Sequence, residues 1–486
     1  MQNPNDRPTP AGKPPAQHAT RGAPAAARGV FVAAIVLLAL CAATALMLSL
    51  EHLGASAPAS GPGPATAASG ATTTAASGPT SASAGTQPAS RGFTGRYRLG
   101  PELAPIRIVV FMDYQCQSCR LVELELKVIL EKHPEISLSV KQCPRNIECN
   151  PYGDDRGHVY SCSAARAAEA AGLLGGNDGF WRMHYWLFDH SGRFTDDELL
   201  AAVKDFGYDV DEFARVWKSA ETLRLVRADI EEGFELGLNA TPMVFMNGVE
   251  FKGWSEPGTI TRVIVRLGQE TLPLKTAASD HPLPAREAFV YEWSQQRVRE
   301  LPPAQHDWSL GSAGAKLKIV VWGDYQQPNT ALADGIIRGF IAEHAGVQYT
   351  FRPYPLNRQC NPALKEEEGQ QYPLACRAAQ AAVAAGLLNG ADGYWKVHAW
   401  LLKNQPQFSD EALRAAAWDL GLDPAVLLAR MDEPDVSAAV LSEAQAGQQA
   451  GLQHSPLMFL NGKVVPRWLH GQEPVLRDIL DAAWGE

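Results

Sequence analysis

FMDYQCQSCR, residues 111–120, sets Cys116 and Cys119 with two residues between them, directly behind the strand-like run Ile106-Arg107-Ile108-Val109-Val110-Phe111. The next stretch, LVELELKVILEKH from Leu121, has the 3.6-residue spacing of an amphipathic helix. A C-x-x-C at such a junction puts its first sulfur at a helix N-terminus, where unpaired N–H groups and the macrodipole favour a thiolate. The second sulfur, one turn on, is placed to attack a mixed disulfide formed by the first, the geometry that thiol–disulfide exchange requires. Zinc sites also use C-x-x-C but need a second matched pair, and Cys143-x5-Cys149 has the wrong spacing. No metal and no organic cofactor are expected.

Further along, VVWGDYQQPNT (320–330) restates the motif with Gln327 and Thr330 at the sulfur positions. The match is not local. Tyr97-Arg98-Leu99-Gly100 aligns with Trp308-Ser309-Leu310-Gly311, and Cys149-Asn150-Pro151 with Cys360-Asn361-Pro362, all at an offset of 211 (Gly100 to Gly311). After a three-residue insertion the offset is 214, which pairs Cys162 with Cys376, Thr241-Pro242 with Ser455-Pro456, and Asn247-Gly248 with Asn461-Gly462. Such a repeat means two copies of one domain, spanning 93–273 and 306–486, with 274–305 as a Pro-rich, charged linker holding one short helix. Each copy reads as βαβ, then an Ala-rich helical block punctuated by glycines (Gly172, Gly175 and Gly207 in the first), then ββα with Asn-Gly at the hairpin turn.

The repeat sorts the eight cysteines. Cys149 with Cys162 and Cys360 with Cys376 occur in both copies and are expected as structural disulfides, each stabilising its copy by about 3 kcal/mol in the loop-entropy model. A second redox pair is the alternative reading. Cys116 and Cys119 belong to one copy only, so folding does not require them. Cys143 matches Tyr354 and is left as a spare thiol. His158 is a candidate for tuning a nearby thiol. His184 recurs as His398 and Asp113 as Asp324 in the copy without thiols, which favours structural roles for both. Trp181, Trp186 and Trp254 recur as Trp395, Trp400 and Trp468 and are expected in the core.

Ahead of the copies, residues 1–29 are polar and basic, and 30–50 form an uncharged apolar run long enough to cross a bilayer as a helix. Basic residues before that run place the N-terminus in the cytoplasm and the remainder outside it. A cleaved signal peptide, cut after Ala55-Ser56-Ala57, is the alternative. Residues 51–92, built from Ala, Ser, Gly, Thr and Pro, lack the large apolar groups that would offset the entropy of ordering and are expected as a disordered tether. The formal charge of −10 offers no basic footprint for nucleic acid.

Strand, C-x-x-C, helix, a helical insertion, then Thr-Pro before a hairpin resembles the DsbA-like branch of the thioredoxin superfamily. The resemblance implies an α/β fold of two tandem thioredoxin-like domains, each with a helical insertion. The N-terminal transmembrane helix expected ahead of them comes from the apolar run 30–50 and, with the tether, is unlike the usual soluble members of that branch. The resemblance further implies Cys116 as nucleophile, Cys119 as resolving thiol and a cis Pro242 beside them, with Thr241-Pro242 holding substrate. Cys149-Asn150-Pro151, His158 and Cys162-Ser163-Ala164-Ala165 are similar to DsbA-like proteins that accompany membrane oxidases of the vitamin K epoxide reductase type. The expected function is a thiol–disulfide oxidoreductase, single-pass in the cytoplasmic membrane with its domains in the periplasm or outside the cell. Its expected partners are exported proteins or peptides with cysteines and a membrane redox partner, either an oxidase of the DsbB or vitamin K epoxide reductase type or a reductant. A redox-inert, chaperone-like peptide binder with a structural Cys116–Cys119 bridge is the alternative. The second copy departs from the pattern: Gln327, Thr330, Ser455 and Pro456 make a degenerate site, expected as a scaffold or an extended-peptide surface. The Gln117-Ser118 dipeptide carries over no redox potential, so the direction of electron flow is left open.

Overall fold

The computed structural model describes residues 92–154, 157–364, 371–452 and 454–486; the tail 1–29, the expected anchor 30–50 and all but the last residue of the 51–92 tether lie outside them. Among the described residues no helix is long and apolar enough to cross a membrane.

The first copy runs β1 (Arg98–Leu99), β2 (Arg107–Met112), α1 (Gln117–Lys132), β3 (Ser137–Gln142), then four helices, α2 (Ser161–Asp189), α3 (Asp196–Asp205), α4 (Val210–Trp217) and α5 (Ala220–Glu235). It closes with β4 (Met243–Met246), β5 (Val249–Phe251) and α6 (Thr259–Leu267). The sheet order is β1-β3-β2-β4-β5, with β3 parallel to β2, and β4 antiparallel to it in the register Val110↔Val244. All six residues of β2 are buried, because each face of the strand meets its own cluster. Ile108, Val110 and Met112 pack with Val122, Leu126 and Phe180, whereas Val109 and Phe111 pack with Phe93, Val226 and Ile230. A strand covered on both faces reads as a continuous apolar run rather than an alternation, and it holds its C-terminal end, where Cys116 follows, in a fixed place.

Of the glycines read as punctuating the helical block, Gly207 acts as expected, following α3 with a φ of 87°, and the other two do not. Gly172 and Gly175 lie inside α2, and the break falls at Gly176, whose φ is 61°. Gly172 is small because the ring of Tyr97 would come within 2.1 Å of a Cβ there, and Gly386 meets Trp308 in the same way in the second copy.

The span 274–305 is secured along its length. Lys275 pairs with Ala104, and the buried Asp280 carboxylate accepts both Arg107 Nε (2.7 Å) and Nη2 (2.6 Å), tying this end to the first copy. Its helix, α7 (Ala285–Ser294), presents Phe289 and Trp293 four residues apart to the core of the second copy.

That copy continues with β6 (Leu317–Gly323), α8 (Pro328–Glu343), β7 (Val347–Pro353), α9 (Ala375–Lys403), α10 (Asp410–Ala416), α11 (Pro424–Met431) and α12 (Pro434–Gln449). It ends with β8 (Leu457–Leu460), β9 (Lys463–Val464), a small β10 (Leu469–His470) and β11 (Glu473–Pro474) ribbon, and α13 (Leu476–Gly485). Its sheet is β7-β6-β8-β9, and the counterpart of β1 is reduced to one bridge, Leu310↔Tyr349. The fold is therefore two α/β domains in tandem.

Candidate active site

Cys116 is the N-cap of α1, and its sulfur accepts the backbone N–H of Cys119 at 3.3 Å. The hydrogen bond from the Cys119 side chain and then that from its N–H favour the thiolate, so Cys116 is lowered to about 6 although burial opposes it. Cys119 is fully buried, and burial raises its thiol well above the ordinary value. One sulfur is thus partly exposed and readily ionised, and the other is enclosed and protonated. The Cys116 thiol also donates to the carbonyl of Thr241 at 3.4 Å, so the loop before β4 lies against it, and the Thr241–Pro242 bond is cis.

Asp113 lies under the turn that carries Cys116. Its carboxylate is buried and accepts the N–H of Gln115 (2.7 Å), the N–H of Arg145 (2.9 Å) and His158 Nδ1 (2.7 Å). His158 is raised from its ordinary value, chiefly by the hydrogen bond to Asp113. The second copy keeps the acid and changes its partner. Asp324 accepts the N–H groups of Gln326 and Leu356. Tyr372 takes the place of His158: Tyr160 N–H donates to Gln115 Oε1 in one copy and Leu374 N–H to Gln326 Oε1 in the other. With no cation in contact among the described residues, Asp324 is raised by burial to about 6.

A buried Tyr–His–acid chain pins the site to the long Ala-rich helix in both copies, α2 in the first and α9 in the second. Tyr114 Oη lies 3.0 Å from His184 Nδ1, and His184 Nε2 stands 3.1 Å from Glu123 Oε2, close enough for an ion pair but out of line for a hydrogen bond. Tyr325, His398 and Asp334 form the same chain at 3.1 and 3.0 Å. Its presence with and without thiols makes it part of the scaffold.

At the degenerate site, Gln327 Nε2 donates to the carbonyl of Ser455 at 2.7 Å, and Thr330 Oγ1 donates to Gln327 Oε1 at 3.0 Å. Gln405, which sequence reading passed over, donates to the carbonyls of Tyr325 and Gln327 (2.8 and 2.9 Å). The Ser455–Pro456 bond is cis. The carbonyl that an extended peptide would address is thus already occupied by the protein's own side chain.

Cys149 is joined to Cys162 and Cys360 to Cys376, with Cα separations of 5.6 and 5.8 Å. Cys143 is free and buried beside the first bridge, its thiol raised by burial. Among the described residues no group of three or more His, Cys, Asp or Glu is placed to hold a metal ion.

The family described as "DSBA-like thioredoxin domain" matches twice, at 107–264 and 318–476. Among curated proteins, the Na(+)/H(+) antiporter NhaA 1 of Mycolicibacterium vanbaalenii is 28% identical over 163 residues, which is 33% of this chain and 25% of the antiporter. NhaA 1 of Salinispora arenicola is 27% identical over 154 residues, 32% of this chain and 22% of its own length. The chain spans about a quarter of the length of these relatives. Among solved structures, the thiol-disulfide exchange protein alpha-DsbA2 of Wolbachia pipientis shares 21% identity over 35% of this chain and 87% of its own, with a TM-score of 0.30. Oxidised BdbD of Bacillus subtilis shares 18% over 39% and 100%, with a TM-score of 0.31.

Proposed function

We propose, for a chain that belongs to the DSBA-like thioredoxin domain family, that it is a thiol–disulfide oxidoreductase working through Cys116 and Cys119 of its first domain. The observation that carries this reading is the division of labour between the sulfurs: a partly exposed, easily ionised Cys116 capping α1 and a buried, protonated Cys119 one turn behind it. The Cys116 thiolate attacks a substrate disulfide, forming one S–S bond to the substrate and releasing a substrate thiolate. Cys119 then loses its proton, and its sulfur attacks Cys116 Sγ. The second substrate thiolate leaves, and two electrons have passed from the protein to the substrate. Run in reverse, the same steps deliver the Cys116–Cys119 disulfide to a reduced substrate.

The substrates in this reading are exported proteins or peptides with cysteines, and a membrane redox partner recycles the pair. The disulfides Cys149–Cys162 and Cys360–Cys376 support a site of action outside the reducing cytoplasm, and the apolar run 30–50 supports a membrane anchor. The second domain, with Gln327 and Thr330 for sulfurs, serves as a scaffold: its Arg467 and His470 hold the first domain at Gly237 and Phe234, on the approach to Thr241-Pro242.

The test is a Cys119→Ala variant of the full chain, mixed with a protein containing an accessible disulfide. Without a resolving thiol, the mixed disulfide on Cys116 should accumulate on non-reducing gels and vanish with dithiothreitol. No trapped species, together with a Cys116–Cys119 bridge that is reduced only on unfolding, would leave the redox-inert binding reading.

A further inference from the structure

The aspartate under the thiol turn is common to both domains, but its partner is not. In the domain with thiols, His158 donates to Asp113 at 2.7 Å; in the domain without them, the neutral Tyr372 stands at that position. Asp113 is fully buried and three residues from Cys116, so its negative charge opposes a thiolate there, the smallest of the influences on a Cys116 that is lowered overall. Nothing of the kind constrains the second domain, where no sulfur would feel Asp324. A protonated imidazole in contact with Asp113 cancels that charge at its source.

We propose that His158 is a positioning residue of the redox site, which acts through Asp113 to hold Cys116 as its thiolate by neutralising the carboxylate beneath it. This deepens the oxidoreductase reading and rests on it for its use, though not for its electrostatics. Among the described residues, the charged and titratable groups that face His158 are Asp113, Cys116 and Arg145. The Arg145 guanidinium is itself engaged with Asp154 at 2.6 Å, which leaves His158 as the side-chain cation in contact with Asp113 among the described residues. The loop that carries His158 is fixed by Tyr160 N–H on Gln115 Oε1 and by Ser161 N–H on the His158 carbonyl, so the imidazole is held beside the thiol turn.

The experiment is the rate of iodoacetamide alkylation of Cys116 against pH, read by peptide mass spectrometry on the reduced full chain. In His158→Gln the midpoint should rise by about one pH unit, the lower end of what a nearby charge does to a titrating group. Adding Asp113→Asn to that variant should return the midpoint to near its original place, a rescue that a purely structural role for His158 would not give. His158→Lys, which keeps the positive charge, should also keep the low midpoint, and it serves should the double variant fail to fold. An unchanged midpoint in His158→Gln overturns the inference, as does an equal rise in His158→Gln and His158→Lys. The trapping assay separates the two readings. A Cys119→Ala chain with His158 in place that traps nothing sinks the oxidoreductase reading whatever the midpoint does; one that traps substrate while His158→Gln titrates unchanged sinks only this inference.

Discussion

The side-chain amide of Gln327 lies 2.7 Å from the carbonyl of Ser455, in the place where the Cys116 thiol of the first domain lies 3.4 Å from the carbonyl of Thr241. The second domain has thus not merely lost its sulfurs. A longer side chain spans the gap to the proline loop, Thr330 bonds back to it, and Gln405 closes the turn from the other side. A site whose polar groups satisfy one another offers little to an incoming peptide, because each new hydrogen bond must displace an existing one. This is why the scaffold role, rather than peptide binding, is the reading adopted for that domain.

The stability of the reduced protein should depend on pH in a way that the oxidised protein does not share. Cys116 titrates at about 6 in the folded chain against an ordinary 9.0. A group whose folded value is depressed contributes stability that is complete above its unfolded value and is lost as pH falls through its folded one. The reduced form therefore gains stability between about pH 6 and 9, whereas a disulfide has no thiol to titrate. His158 runs the other way: its value is raised above 6.5, so its pairing with Asp113 contributes fully below 6.5 and fades as pH rises through the folded value. Because His158 and Asp113 are present in both redox forms, their contribution largely cancels in the difference. The melting temperature of the reduced form minus that of the oxidised form should be flat below pH 6 and climb from there to pH 9; a difference that stays constant across that range would contradict the lowered Cys116.

Much of this was legible in the sequence for local reasons. The C-x-x-C, the Asn-Gly turns (φ 51° at Asn247, 48° at Asn461) and the apolar run of β2 are each set by residues within a few positions of one another. The repeat carried the rest of the architecture, down to the cysteine pairs. What escaped were contacts made across the fold. His158 meets Asp113 over 45 residues of separation, and Gln405 reaches Gln327 over 78. The recurrence of Asp113 as Asp324 pointed to structure alone, because the three-residue insertion hides that His158 aligns with Tyr372; extending the 214 offset back from Cys162 would have exposed the exchange. Gly207 does end α3, but Gly172 and Gly175 misled for a similar reason, since they answer to Tyr97 ahead of β1 and to Tyr208 beyond α3.

Arg96 should be the costliest single polar residue of the first domain to remove. Its guanidinium binds Glu169 through Nε (2.8 Å) and Nη2 (3.0 Å), and Asp229 through Nη1 (2.9 Å) and Nη2 (2.5 Å). Both carboxylates are buried, and Asp229 also accepts the N–H of Gln142 on β3. Deleting one partner of such a cluster leaves unpaired charge in the interior, which costs about 3–5 kcal/mol. Urea unfolding of Arg96→Met should show a midpoint lowered accordingly at unchanged slope. A loss under about 1 kcal/mol would mean that water reaches the cluster and that it behaves as a surface pair.

The scaffold role of the second domain is testable at Arg467. This residue pairs with Glu250 on β5 and with Glu292 on α7, both at 2.8 Å, and donates to the carbonyl of Gly237. Nearby, His470 donates to the carbonyl of Phe234 at 2.6 Å and stacks on its ring, which stacks in turn on Tyr152. Phe234 and Gly237 lead into Thr241-Pro242. In an Arg467→Ala/His470→Ala variant, amide exchange over residues 236–241 should speed up by about tenfold or more, the equivalent of 1.4 kcal/mol of local opening, while β2 stays protected. Unchanged exchange in that loop would show that the first domain holds its proline loop unaided.

The degenerate site itself can be asked whether charge, and not only sulfur, was lost. Thr330 is buried as Cys119 is, and the Gln327 and Thr330 side chains already face each other at 3.0 Å. A Gln327→Cys/Thr330→Cys variant should therefore form a second disulfide on mild oxidation, counted by mass spectrometry as the loss of two further hydrogens. After reduction, the thiol introduced at position 327 should titrate above Cys116, because with Tyr372 in place of a histidine Asp324 has no cation in contact among the described residues. Adding Tyr372→His should bring that thiol down by about one pH unit toward the first domain, the shift an adjacent opposite charge supports. A thiol at 327 that already matches Cys116 with Tyr372 in place would mean that the helix terminus and the neighbouring thiol suffice, and that the histidine of the first domain has another purpose.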